Sequence, residues 1–149
     1  MKHTRGDQGA AVVEFAIILP VLLLIMFGII DLGRLLFLQI SLAAASHEGS
    51  HASSLRQVTP SNASQVAQEV ATVVSNASPG AARLGALGSA QMSVVAPVYC
   101  TANQATTRIT AQSPFHWVMP LGLVLAHDPD GSLVSGFTVS ATSEMLCMR

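Results

Sequence analysis

The sequence predicts an α+β protein with a long N-terminal transmembrane helix followed by a small domain of a helix and an antiparallel sheet. Three observations predict it. Residues 15–30 run for sixteen positions without a charge. Valines then recur at helical spacing after residue 60. Three later segments carry strand character, and the last of them alternates apolar with polar residues. The chain has 149 residues, of which half are hydrophobic and 10% are charged. A soluble domain has about a quarter charged residues, and the mean hydropathy here is +0.52. High apolar content with little charge excludes a disordered polyelectrolyte. A net charge of −1 excludes a strongly basic nucleic-acid binder.

The first element is the apolar helix. FAIILPVLLLIMFGII, residues 15–30, would extend about 24 Å as a helix. Carried back to Ala10 it reaches about 32 Å, enough for a ~30 Å hydrocarbon core. Sixteen apolar residues on all faces exceed the single stripe of a buried core helix. The extension includes one carboxylate, Glu14. Pro20 lies inside the span and is expected to bend it. Beyond Ile30 the helix continues, and Asp31 and Arg34 stand at i, i+3, where a solvated surface pair is expected. Lys2 and Arg5 precede the span and only Arg34 closely follows, a bias that keeps the N-terminus cytoplasmic. Ala43-Ala44-Ala45 offers a signal-peptide cleavage pattern, but Asp31 and Arg34 would intervene and the removed piece would be too long.

The polar leader MKHTRGDQG ends at Gly9, and Glu14 is the fifth residue after it. This resembles the processing site of type IV prepilins, where a membrane peptidase cuts after Gly and leaves Glu at the fifth mature position. Gly6 does not give that register. The run from Arg5 to Phe37 resembles the opening of the TadE-like family, pilin-like proteins of the tight-adherence (Flp) pilus system. Arg5-Gly6, Ala11, Glu14-Phe15, Leu19-Pro20 and Gly33-Arg34 carry the likeness, which covers about residues 5–50.

The resemblance implies a leader at residues 1–9, a transmembrane helix with its extension at 10–54, and a periplasmic α+β domain at 55–149. It implies a single-pass inner-membrane protein that supports pilus assembly and has no enzymatic activity. Its expected partners are a prepilin peptidase acting at Gly9 and Ala10, other pilin-like subunits and assembly machinery, and inner-membrane lipid; no nucleic acid and no cofactor are expected. A carboxylate within a span costs several kcal/mol unless protonated or paired. Cleavage after Gly9 would give Ala10 a new α-amine one helical turn from Glu14. That amine would meet its own carboxylate or a neighbour's, and the resemblance implies the neighbour's. Glu14 and Phe15 are therefore the assembly candidates.

His47-Glu48-Gly49-Ser50-His51 matches H-E-x-x-H, in which two histidines one turn apart bind zinc and the Glu serves as base. A membrane-anchored zinc hydrolase is thus an alternative, as is an anchored binding module outside any filament. A zinc site needs a third ligand, for which Glu69, His116 and His127 are candidates. Against it, Gly49 and Ser50 weaken the helix, and in the TadE-like family this stretch reads like A-A-R-E-G-A-R. The reading therefore assigns no metal.

Thr59-Pro60 predicts a helix start, with Thr59 as N-cap and Pro60 at the first helical position. Val66, Val70, Val73 and Val74 follow as packing residues, giving a helix over about 60–77. Residues 80–90, rich in Gly and Ala, read as a loop. Strands are expected at 92–99, 106–113 and 136–147, with a turn at Asp128–Gly131. PFHWVMPLGLVL, residues 114–125, is too short to span a membrane. It reads as a loop covering the core, or alternatively as a subunit contact patch around Trp117. Cys100 and Cys147 lie near the ends of two expected strands, and outside the cytoplasm a disulfide between them is expected. No nucleotide-binding loop, nucleophile triad or phosphate-binding track stands out.

Overall fold

The computed structural model describes residues 7–77, 79–86, 92–118 and 136–148. Three helices precede three strands: α1 (Asp7–Ser54), α2 (Ala63–Ala77), α3 (Pro79–Ala86), β1 (Ser93–Val98), β2 (Thr106–His116) and β3 (Gly136–Leu146). The α+β class and the long apolar first helix are as the sequence predicts.

α1 has two halves with different surroundings. From Gly9 to Ile30 its side chains are exposed on every face, with Phe27 half-buried. Its apolar stretch is long enough to cross a membrane. From Asp31 onward burial becomes periodic: Asp31, Arg34, Leu38, Ser41, Leu42, Ala45, Ser46, Gly49, Ser50, Ser53 and Ser54 are buried. Three- and four-residue steps place these residues on one face, which is the face an amphipathic helix buries. The helix passes through Pro20 without interruption.

The three strands form one antiparallel sheet in the order β1-β2-β3. β1, as an edge strand, tolerates Pro97, which has no amide hydrogen to give to a ladder. Its register with β2 shifts between Val95 and Val98, where Ala96 has a φ of 45°. That bulge interrupts the regular pairing, which resumes with Val98 opposite Arg108. β2 and β3 pair over their whole lengths, from Thr106 opposite Leu146 to His116 opposite Gly136.

The core lies between α1 and the sheet. Leu38, Leu42 and Ala45 of α1 meet Val66, Val70 and Val74 of α2, Ala81 and Ala82 of α3, and Ile109, Ala111, Phe115 and Val139 of the sheet. β2 runs antiparallel to α1: the Ser53 and Thr107 hydroxyls are 2.7 Å apart at one end, and Arg34 reaches the His116 carbonyl at the other. Nineteen helical residues rise about 29 Å, and nine strand residues about 31 Å. The helix and the strand therefore keep in step along the domain.

Three expectations need correction. α2 starts at Ala63, not at residue 60. Pro60 is used in a turn in which the Asn62 amide donates to the Thr59 carbonyl at 3.1 Å, and the Asn62 carbonyl then accepts the first helical bond from Val66. Residues 80–86 form most of a helix rather than a loop. Alanine has the best helix propensity, Pro79 suits a first helical position, and burial of Ala81 and Ala82 supplies the packing. Pro114, Phe115 and His116 belong to β2 and not to a covering loop, because Phe115 fills the core. The rest of residues 119–125, the turn at Asp128–Gly131 and His127 lie outside the described residues.

Candidate functional site

The molecule offers two places to look for function: the exposed half of α1 with its carboxylate, and the junction where α1 enters the domain. Glu14 is exposed on α1, among Val12, Val13, Phe15, Ile17 and Ile18, all well exposed. Gly9 and Ala10 lie in the same helix, also exposed, and a Cβ built on Gly9 meets nothing within 4 Å. Ala10 and Glu14 are one helical turn apart, about 6 Å along the axis.

At the junction the expectation of a solvated Asp31–Arg34 pair is overturned. Asp31 is 2% and Arg34 7% exposed. Arg34 Nη1 donates to Asp31 Oδ1 at 2.7 Å and to the His116 carbonyl at 3.3 Å. Its Nε donates to the Leu84 carbonyl at 3.0 Å, Nη2 to the same oxygen, and Nη2 also to the Gly85 carbonyl at 3.1 Å. Both carbonyls belong to the last turn of α3, where acceptors lack helical donors. The guanidinium also lies over the Phe115 ring, 5.2 Å from its centroid. Asp31 in turn accepts the Val118 amide at 3.2 Å on each carboxylate oxygen. One ion pair thus joins α1 to the end of α3 and to the end of β2. Sequence reasoning missed it because its partners lie 50 to 87 residues away. The available signal was an opposite-charge pair at i, i+3 in a stretch, residues 15–46, with no other charge.

The H-E-x-x-H residues divide by face. His47, Glu48 and His51 are exposed, whereas Gly49 and Ser50 are buried. A Cβ on Gly49 would come within 2.7 Å of Val74 Cγ2 and 3.1 Å of Ile109 Cγ2. The glycine is there to let α2 and β2 approach. Ser50 shares a 3.0 Å hydrogen bond with Ser143 of β3. Of the third-ligand candidates, Glu69 pairs with Arg56 at 3.1 Å. His116 is at the Arg34 end, about 20 Å along the helix from His47. Among the described residues no three His, Cys, Asp or Glu could hold a metal ion, and the hydrolase alternative gains no support.

Cys100 and Cys147 form a disulfide with Cα atoms 5.8 Å apart. It lies at the end of the domain away from Arg34, where the Cys100 carbonyl accepts from Val58 and the Met148 amide donates to Ser54. Nearby, burial raises the pKa of Tyr99 above the usual phenol value.

These features define a class: a domain built onto the second half of one long helix, whose first half is long and apolar enough to anchor it in a membrane. A family model described as TadE-like protein matches residues 9–51, which lie entirely within α1. The likeness read from Gly9, Glu14-Phe15 and Gly33-Arg34 is borne out over that segment, and it suggests a pilin-like component of the Tad pilus. No curated protein and no solved structure matches the chain.

Proposed function

We propose that the protein is a membrane-anchored, pilin-like subunit that supports assembly of the tight-adherence pilus. A prepilin peptidase removes residues 1–9, and the new Ala10 amine pairs with Glu14 of a neighbouring pilin-like subunit, with Phe15 beside it. The carrying observation is the division of α1: Gly9–Ile30 is bare on all faces, and Glu14 is the only charge in that stretch. A desolvated carboxylate calls for a cationic partner, and the amine exposed by cleavage would supply one. The chain is single-pass in the inner membrane, N-terminus inward, with the domain in the periplasm. The Cys100–Cys147 disulfide fits an oxidising compartment. The reading includes no catalysis.

The test is expression with and without a prepilin peptidase, followed by determination of the N-terminus and its membrane fraction. A new N-terminus at Ala10 only when the peptidase is present supports the proposal. Retention of Met1 with every prepilin peptidase would leave an anchored binding module as the better account.

A further inference from the structure

The end of the domain nearest the anchor is apolar on its outside as well as its inside. Leu84, Val118 and Phe137 are 45%, 46% and 40% exposed, and Trp117 is half-buried beside them. Leu84 and Val118 are fixed to the Asp31–Arg34 junction. Arg34 holds the Leu84 carbonyl, and Asp31 holds the Val118 amide. Phe137 lies opposite Phe115 in the sheet, and the Trp117 and Phe137 rings are 5.7 Å apart. On α1 itself Leu36, Phe37 and Ile40 are also exposed. Asp31 and Arg34 are turned inward and paired with each other, so they do not oppose contact with lipid.

The length of the helix says what meets this end. A ~30 Å hydrocarbon core takes about 20 helical residues. Counted from Ala10 the core ends at Ile29; counted from Phe15, the residue after the carboxylate, it ends at Arg34. Both counts put the junction at the level of the lipid headgroups, where tryptophan and other amphipathic rings concentrate in membrane proteins. Arg83, exposed next to Leu84, brings a guanidinium to the level of the lipid phosphates. Among the described residues of the domain outside α1, the two carboxylates, Glu69 and Glu144, are each paired with an arginine, Arg56 and Arg108.

We propose that Leu84, Trp117, Val118 and Phe137 form a collar seated in the phospholipid headgroup and upper acyl region, so that the domain rests on the bilayer instead of standing clear of it. The collar rests on the anchor reading of α1 and adds a lipid-binding surface to the domain itself.

Trp117 is the chain's single tryptophan, so its fluorescence reports this surface without substitution. The full chain is reconstituted into phosphatidylethanolamine–phosphatidylglycerol vesicles, floated on a density gradient, and its emission compared in lipids brominated near the glycerol end or near the chain terminus. The expected result is co-flotation, a greater loss of emission with the shallow bromines than with the deep ones, and little loss to aqueous iodide. Co-flotation with iodide quenching and no bromine effect overturns the collar and leaves the anchor standing. Co-flotation with emission that shifts on dilution of protein in the bilayer, again without a bromine effect, overturns it in favour of a contact between copies. Failure to float overturns the anchor and the collar together.

Discussion

Arg34 and Asp31 form a buried ion pair 2.7 Å apart on consecutive turns of α1, and between them they bind backbone groups of both α3 and the end of β2. Removing one member leaves the other charged and desolvated. Such losses cost about 3–5 kcal/mol. Arg34→Met should therefore lower unfolding stability by about that amount, read by denaturation in detergent. The double variant Asp31→Leu with Arg34→Met should recover part of it, since no unpaired charge remains. A single variant as stable as the parent would show that the pair is solvated after all.

Gly49 separates packing from metal binding in the HEGSH segment. Gly49→Leu forces side-chain atoms into Val74 and Ile109 and should destabilise by about 3 kcal/mol. His47→Ala, on the exposed face, should change stability by less than about 0.5 kcal/mol. Zinc bound stoichiometrically by the parent and lost in His47→Ala would reverse this assignment.

The disulfide closes a loop of 47 residues. In the chain-entropy model its loss costs about 4 kcal/mol. Cys100→Ser with Cys147→Ser should show that decrease in denaturant titration, and reduction of the parent should approach the same value. Equal stability of oxidised and reduced protein would contradict the prediction.

Tyr99 gives a pH dependence of known sign. Burial raises its pKa in the folded state above the ordinary value of 10.0. Its contribution is fully present below that value and is lost as pH rises through the folded pKa. It is the chain's single tyrosine, so phenolate absorbance reports it directly. The folded protein should titrate at higher pH than the denatured protein, and stability should fall across that alkaline interval. Coincident titration curves would remove the effect.

Glu14→Ala should leave membrane insertion intact, because it deletes a charge from an apolar helix. Assembly with other pilin-like subunits, measured by cross-linking or pilus yield, should fall sharply. Normal assembly of the variant would end the pairing proposal.

The elements legible in the sequence were those whose signal is local. The apolar run of α1, the valines of α2 and the alternation of β3 each announce a periodicity within one segment. α3 was hidden because its Gly and Ala residues have little hydrophobic contrast, and its helix depends on packing against Leu38, which lies within 2.7 Å of a Cβ built on Gly85. The inward turn of Arg34 was hidden for a related reason. Its acceptors outside α1 are backbone carbonyls at Leu84, Gly85 and His116, and a backbone carbonyl leaves no trace in residue identity. Of the candidate sites, Gly9 and Glu14 came from a spacing that resembles prepilin processing sites, whereas the collar proposed above depends on four distant residues that only the fold brings to one end.

The near-equal lengths of α1's second half and of β2 have a mechanical consequence. The Arg34 network fastens helix to domain at one end, and the Ser53–Thr107 hydroxyl contact fastens them at the other. A pull along the axis of α1 therefore loads the helix–sheet seam in shear, with both fastenings and the apolar rows between them under tension at once. Peeling would break the same contacts one after another. A domain mounted in this way resists traction along the axis of α1 as a unit.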